Sequence, residues 1–274
     1  MIAHSPVKWA GGKSFLAPEI LRRLPAKIST YYEPFLGGGA VFFALAAEGR
    51  FKRAVIGDAN EELMNLYAMV QNHPGALMGY TDAIGDKQNE KAYYEVRALN
   101  PNSLVPLERA ARMLYLNKTG FNGLYRVNKK GGFNVPWGKQ EGRTLFDEEN
   151  ILACSEALAE TTLTSIDFEK TVFAAKSGDV VYCDSPYIPV SDTANFTTYT
   201  AGGFTLADQE RLRDVAKKLI DRGVYVLLSN ADTPLVRKLY RGFKIEEVQA
   251  PRRVNSKASK RGNVGELLIS GRKA

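Results

Sequence analysis

Thr30-Tyr31-Tyr32-Glu33-Pro34-Phe35-Leu36-Gly37-Gly38-Gly39 is the stretch that decides the fold. Residues 30–33 read as the end of a strand, three glycines make a turn, and residues 40–47 read as a helix. A strand that passes through glycines into a helix opens a parallel α/β unit, and ligands of such sheets lie beyond the carboxyl ends of the strands. Working outward, residues 54–57 form a short apolar strand that ends at Asp58. Residues 162–166, 180–183 and 224–229 read as further strands, with an amphipathic helix over 206–222 between the last two. This alternation predicts an α/β fold with a parallel sheet. Residues 244–248 and 266–270 are two strands with no helix between them, which predicts an antiparallel pair at one edge.

The middle of the chain departs from that rhythm. Residues 60–115 are mostly helical in pattern, punctuated by Asn72-His73-Pro74-Gly75 and Asn100-Pro101-Asn102. Residues 123–137 are strand-like around Asn128-Lys129-Lys130-Gly131-Gly132, a hairpin signal. The expected organisation is one α/β domain made of residues 1–58 and 147–274, with residues 59–146 inserted as a helical unit carrying a basic hairpin. There are no internal repeats and no low-complexity segments.

At 274 residues, 45% apolar and 24% charged, the chain has the make-up of a globular protein with a sizeable core. No stretch approaches a membrane span, and residues 1–6 lack the apolar segment of a signal peptide. Two cysteines, Cys154 and Cys183, make neither a disulfide framework nor a metal cluster. The expected setting is cytoplasmic and reducing, with no membrane and no metal.

The net charge of +7 is unevenly placed. Lys118, Arg126, Lys129, Lys130, Lys139 and Arg143 face only Glu141 in one segment. Arg252, Arg253, Lys257, Lys260, Arg261, Arg272 and Lys273 face only Glu266 in the other. Such clusters attract polyanions by counterion release. One cluster alone is equally a solvated surface.

Asp58 stands 21 residues after Gly37, the spacing at which an acid meets ribose hydroxyls. The glycine loop is not the dinucleotide fingerprint, because Phe42 stands where its third glycine belongs. A nucleoside without phosphates is therefore expected, and S-adenosylmethionine fits. Lys8-Trp9-Ala10-Gly11-Gly12-Lys13-Ser14 invites a phosphate-loop reading, but Val7 replaces the required glycine and almost no chain precedes it to form a strand. Asp167-Phe168 follows a strand, where Asp167 is a good helix N-cap.

Asp184-Ser185-Pro186-Tyr187 closes the apolar run 179–183. The amino nitrogen of a nucleobase is a poor nucleophile because its lone pair is delocalised into the ring. Two acceptors aimed at its protons favour a pyramidal nitrogen, and the Asp184 carboxylate and the Ser185 carbonyl supply them. Pro186 stiffens the loop by its fixed φ. Tyr187 offers a ring for the base and for developing positive charge. An Asp-Ser-Pro turn that merely ends a strand is the structural alternative.

Taken in order, the Lys-Trp opening, the glycine loop, Asp58 and Asp184-Ser185-Pro186-Tyr187 resemble the DNA adenine methyltransferases of the Dam type. The resemblance covers nearly the whole chain and implies a Rossmann-like methyltransferase sheet with an inserted recognition domain. It implies that Trp9, Ala10, Gly11, Lys13, Glu33, Pro34, Phe35, Gly37, Gly39, Asp58, Ala59 and Asp184 line the methyl-donor site, with Lys13 near the donor's carboxylate. It puts Asp167 on the donor's adenine amino group and Phe168 on its ring. Ser185 departs from the usual Asp-Pro-Pro-Tyr, and activity is expected to survive because the contribution there is a main-chain carbonyl.

Residues 115–126 and 132–139 closely resemble the target-recognition hairpin of that family. The resemblance implies that Phe121 and Asn122 wedge beside the vacated base stack and that Leu124, Arg126 and Pro136 read base edges. Arg126 suits guanine O6 and N7. Lys118 and Lys139 fall on phosphates, and Lys8, Asn128 and Asn134 are further expected DNA contacts. Residues 194–199 with Phe204-Thr205-Leu206, the pair Ser229-Asn230, and the tail from Arg252-Arg253 to Leu268 continue the match. The implied activity is methylation of adenine N6 in double-stranded DNA at GATC, on a flipped-out base, by a monomer. Two alternatives stay open: amino methylation of cytosine or RNA, and a sequence-specific DNA-binding protein without activity.

Overall fold

The computed structural model describes residues 2–128, 131–187, 203–251 and 263–272. Residues 194–199, residues 252–262 and the hairpin lysines Lys129 and Lys130 lie outside the described residues. The chain runs α1 (Ala17–Arg23), β1 (Ile28–Glu33), α2 (Ala40–Ala47), β2 (Phe51–Gly57) and α3 (Glu61–Asn72). It continues with α4 (Pro74–Gly85), α5 (Glu90–Ala98), α6 (Pro106–Thr119), α7 (Glu148–Leu158), β3 (Thr161–Thr164), α8 (Phe168–Thr171) and β4 (Val180–Cys183). It ends with α9 (Leu206–Asp221), β5 (Tyr225–Ala231), α10 (Pro234–Leu239), β6 (Lys244–Pro251) and β7 (Asn263–Gly271).

The strands form one seven-stranded sheet in the order β3-β2-β1-β4-β5-β7-β6. The first five are parallel, and β7 is antiparallel to both its neighbours. Strand order reverses between β1 and β4, and the carboxyl ends of those two strands open the crevice at the topological switch point. The antiparallel pair forms as expected, but β7 inserts between β5 and β6, so of the pair only β6 is an edge strand, opposite β3 at the other edge. Lys244, Glu246 and Glu247 give that edge the charge that discourages pairing with another chain.

Successive strand residues point to opposite faces. Tyr31, Val180, Tyr182 and Leu227 pack on one face with Phe42, Leu63, Tyr67 and Leu114. Tyr32, Val181, Cys183 and Leu228 pack on the other with Leu212, Val215 and Leu219 of α9. Every residue of β4 is buried, as in a strand covered on both sides. Each such Leu or Val contributes about 1.5–3 kcal/mol by leaving water.

The helices between β2 and β3 are built onto this body. Leu63, Leu66, Tyr67 and Val70 of α3 and Ala110, Ala111 and Leu114 of α6 belong to the same core as the sheet. A smaller cluster of Tyr93, Tyr115, Leu116 and Leu145 supports the hairpin, with Phe133 and Trp137 against it.

The hairpin itself is less regular than continuous strand pairing. Its antiparallel contacts are single bridges, Gly120↔Trp137 and Val127↔Phe133. Left-handed backbone at Asn122 (φ 55°) and Gly123 (φ 63°), and the missing N–H of Pro136, interrupt extended structure. Tyr93 Oη and Arg97 Nη1 both donate to the Val135 carbonyl, at 2.9 and 3.0 Å, and tie the returning arm to α5.

Candidate active site

Glu33 ends β1 and is buried, with Tyr31 Oη donating to its Oε2 at 2.8 Å. Burial, with Asp184 nearby, pushes its carboxyl up to about 8. The glycine turn is pinned from β2: Leu36 N donates to the Gly57 carbonyl at 2.8 Å and Gly37 N to Asp58 Oδ2 at 3.0 Å. Asn60 N donates to Asp58 Oδ1 at 2.9 Å. Burial holds the Asp58 carboxyl above the usual carboxylate range against those two N–H donors. Gly37 has φ +49°, and a Cβ there would lie 2.9 Å from Trp9 Cδ1. Only glycine lets the turn and the indole share this space.

The segment holding Trp9 and Lys13 reaches the same place from the N-terminal side. Asn117 of α6 clamps it: Lys8 N donates to Asn117 Oδ1 at 2.9 Å, and Asn117 Nδ2 donates to the carbonyls of Lys8 and Gly123 at 2.8 and 3.1 Å. The Trp9 ring stacks on Tyr125 of the hairpin, with centroids 5.2 Å apart. Lys13 Nζ lies 2.8 Å from Asp184 Oδ1 and 3.4 Å from Glu266 Oε1. Burial by itself lowers the pKa of such an ammonium, but the two carboxylates raise it above its ordinary value.

Residues 184–187 follow β4 and are held from both sides. Ser229 Oγ on β5 donates to Asp184 Oδ1 at 2.7 Å. Gln209 Nε2, fully buried on α9, donates to Ser185 Oγ at 3.2 Å and to the Pro186 carbonyl at 2.8 Å. Gln209 Oε1 accepts from Asn230 Nδ2 at 3.2 Å, which orients the amide. Tyr187 Oη donates to Glu266 Oε1. Lys13 Nζ sits 4.9 Å from the centre of the Tyr187 ring. Burial raises both the Tyr187 phenol and the Glu266 carboxyl, the latter against the pull of Lys13.

All these segments open onto one cleft of about 400 Å³, and every residue expected at the donor site lines it, as do residues 184–187. Phe35 packs on Phe168 at 5.4 Å and edge-on to Phe204 at 5.6 Å, an aromatic wall beside the acids. Asp167 does what the N-cap reading requires, accepting from Glu169 N at 3.0 Å, and it also lines the cleft. Its two oxygens take a forked contact from Arg211, at 3.2 and 2.9 Å, and the guanidinium lies 4.3 Å from the Phe168 ring centre. Sequence reasoning missed Gln209, Arg211 and Glu266. Glu266 carried one signal, an acid at the head of the apolar run Glu266-Leu267-Leu268-Ile269.

The residues expected on DNA lie together on and around the hairpin. Lys8, Phe121, Asn122, Arg126, Asn128, Pro136 and Lys139 are exposed, Leu124 and Asn134 half-buried. Lys8 runs against Gly123, where a Cβ would meet its Cδ at 2.8 Å. Asn128 Oδ1 accepts from Gly132 N at 3.1 Å, and Arg126 Nε donates to Asn134 Oδ1 at 2.7 Å, so these three side chains hold the hairpin's own shape. Lys118 is half-buried, and burial lowers the pKa of its ammonium. Among the described residues there is no cluster able to hold a metal, and no helix is long and apolar enough to cross a membrane.

Sheet order and a cleft at the switch point define a doubly wound, Rossmann-like protein. The model of the D12 class N6 adenine-specific DNA methyltransferases matches residues 9–254. Type II methyltransferase M1.LlaDCHI of Lactococcus lactis subsp. cremoris is 42% identical over 96% of this chain and 93% of its own. DNA adenine methylases of Vibrio cholerae and Escherichia coli K12 are 38% and 36% identical, over 96% of this chain and 94% and 93% of theirs. The chain belongs to the D12 class of N6 adenine-specific DNA methyltransferases. The family excludes cytosine and RNA as the target class and makes the protein an enzyme.

Proposed function

We propose that the cleft binds S-adenosylmethionine and that residues 184–187 receive an adenine flipped out of duplex DNA within GATC. The observation that carries this reading is that the glycine loop, Asp58 and Asp184, far apart in sequence, open onto one cleft at the switch point. The lining fits a nucleoside: an aromatic wall of Phe35, Phe168 and Phe204, an acid on the glycine turn, and carboxylates suited to a sulfonium charge. When bound, S-adenosylmethionine supplies an electrophilic methyl group.

Trp9, Gly37 and Asp58 hold the donor, Phe35 and Phe168 flank its ring, and Asp167 meets its amino group. The Asp184 carboxylate and the Ser185 carbonyl accept the two N–H groups of the adenine amino nitrogen and orient its lone pair. Tyr187 presents its ring to the base and to the positive charge that develops on nitrogen. Placement and electrostatics supply the acceleration, without a covalent intermediate. A base inside the duplex cannot reach the cleft, so it is extruded.

Residues 59–146 act as the recognition unit. Phe121 and Asn122 fill the gap left by the base, Arg126, Leu124 and Pro136 read base edges, and Lys8, Lys118 and Lys139 meet phosphates. The protein works as a monomer in the cytoplasm. Purified protein, labelled S-adenosylmethionine and two duplexes, one with GATC and one with that site scrambled, test the reading. Label on adenine in the GATC duplex alone is expected. Label in both duplexes refutes the hairpin assignment, and no donor binding in calorimetry refutes the cleft.

A further inference from the structure

Tyr187 is held by its phenol oxygen, which donates to Glu266 Oε1 on β7. The same carboxylate oxygen lies 3.4 Å from Lys13 Nζ, and that ammonium lies 2.8 Å from Asp184 Oδ1. One carboxylate thus joins the ring and the cation that flank Asp184. Glu266 is 9% exposed and is not part of the cleft lining, so any influence on the reaction passes through Tyr187 and Lys13.

The location makes a purely structural role costly. Glu266 lies opposite Ala231 of β5 and Val248 of β6 and precedes Leu267, Leu268 and Ile269. An apolar side chain suits such a position, whereas a buried carboxylate is tolerated only when paired. Its partners are Tyr187, whose ring is read above as meeting the base, and Lys13, which pairs with Asp184. With Asp184 as its one anionic neighbour, the Lys13 ammonium competes with the adenine amino group for that carboxylate. A second carboxylate 3.4 Å from the ammonium gives it another resting place.

We propose that Glu266 is a positioning residue for methyl transfer: it fixes the Tyr187 ring where the base stacks and shares the Lys13 ammonium with Asp184, so that this carboxylate does not carry the cation alone when it meets the adenine amino group. This rests on the reading of residues 184–187 given above. The test compares the full-length wild type with Glu266→Gln, Tyr187→Phe, their double variant and Asp184→Ala. Readouts are the single-turnover methylation rate, the affinities for S-adenosylmethionine and duplex, and the emission of 2-aminopurine placed at the target adenine.

Glu266→Gln is expected to slow single turnover by about tenfold or more while both affinities stay within about threefold. The 2-aminopurine emission is expected to change, and the double variant to lose less than the product of the two single losses. A Glu266→Gln rate within about twofold of wild type overturns the proposal, as does a parallel fall of rate and both affinities. Should Glu266→Gln fail to fold, Tyr187→Phe decides: wild-type rate and emission in that variant overturn the proposal, and altered emission with slower turnover supports it. Unchanged turnover by Asp184→Ala sinks the site reading and this inference with it. An inert Asp184→Ala beside a fully active Glu266→Gln sinks the inference alone.

Discussion

Lys13 Nζ lies 2.8 Å from Asp184 Oδ1, joining a residue near the chain's start to one that follows the fourth strand. Both side chains are largely buried, at 10% and 18% exposure. Removing Lys13 deprives both the Asp184 and the Glu266 carboxylates of that cation, whereas removing Asp184 leaves Lys13 with Glu266.

Asp184→Ala is expected to lower methyl transfer by about a hundredfold or more, on the scale of losing one well-placed polar group in an active site. Duplex binding is expected to persist, because the hairpin surface is untouched. Labelled-methyl transfer and fluorescence anisotropy on one preparation check both halves, and unchanged turnover would refute the assignment of Asp184.

Arg126 is exposed and aligned by Asn134, with Nε on its Oδ1 at 2.7 Å and Nη2 on its carbonyl at 3.1 Å. Arg126→Ala is expected to weaken discrimination at one guanine by about 1–3 kcal/mol. Competition between GATC and singly substituted duplexes measures it. Equal losses on all sequences would instead mark a phosphate contact.

Gln209 satisfies three polar groups at once, of which the Ser185 hydroxyl and the Asn230 amide are buried. Gln209→Ala leaves the Pro186 carbonyl and Asn230 Nδ2 without that partner, and is expected to cost about 1–3 kcal/mol of stability and to slow turnover. Ser185→Ala removes the 3.2 Å bond alone and is expected to cost at most about 1.5 kcal/mol, with turnover nearly intact. Denaturant melts and single-turnover rates separate the two, and an inactive Ser185→Ala contradicts the main-chain role.

The Glu33 carboxyl, pushed up to about 8, is protonated in the folded protein from its ordinary range near 4.5 up to that pH. The folded state therefore holds a proton that the unfolded state has released, and stability falls as pH rises through this window by up to about 1.4 kcal/mol per unit. Above about 8 the contribution levels off. Glu33→Gln is expected to flatten the profile while its amide oxygen still accepts from Tyr31. Parallel melts of both proteins from acid to mildly alkaline pH check this, and superimposable profiles contradict it.

The Trp9 and Tyr125 rings stack at 5.2 Å, linking the cleft wall to the hairpin. Tyr125→Leu removes the ring and keeps apolar bulk. Loss of a stack of this kind costs about 0.5–1.5 kcal/mol, so donor affinity is expected to fall about two- to tenfold. Calorimetry with S-adenosylmethionine reads the change, and unaltered affinity shows that Trp9 needs no such support.

The parallel sheet was legible because its evidence is local: strand 30–33, the glycine turn and an acid 21 residues later sit in one short segment. Residues 184–187 were legible for the same reason, as one contiguous tetrapeptide that closes a strand and lines the cleft. Helices α1 and α10 escaped notice because short helices depend on the surface they cover rather than on a long periodic pattern, whereas α8 was announced by its cap Asp167. The hairpin signal was genuine, but Asn122, Gly123 and Pro136 reduce the pairing to single bridges.

The sequence by itself determined the strand–turn–helix opening, the antiparallel strands near the end, the acids that line the cleft and the tetrapeptide, because short-range backbone preferences and side-chain chemistry are written residue by residue. Only the tertiary structure decided that β7 lies between β5 and β6 and carries Glu266 to Tyr187, and that Gln209 on α9 holds Ser185 and Pro186. It alone set Lys13 against Asp184 and Trp9 against Tyr125. Those pairings join segments distant in the chain, and burial of both sheet faces brings them together, a collective outcome that no local motif encodes.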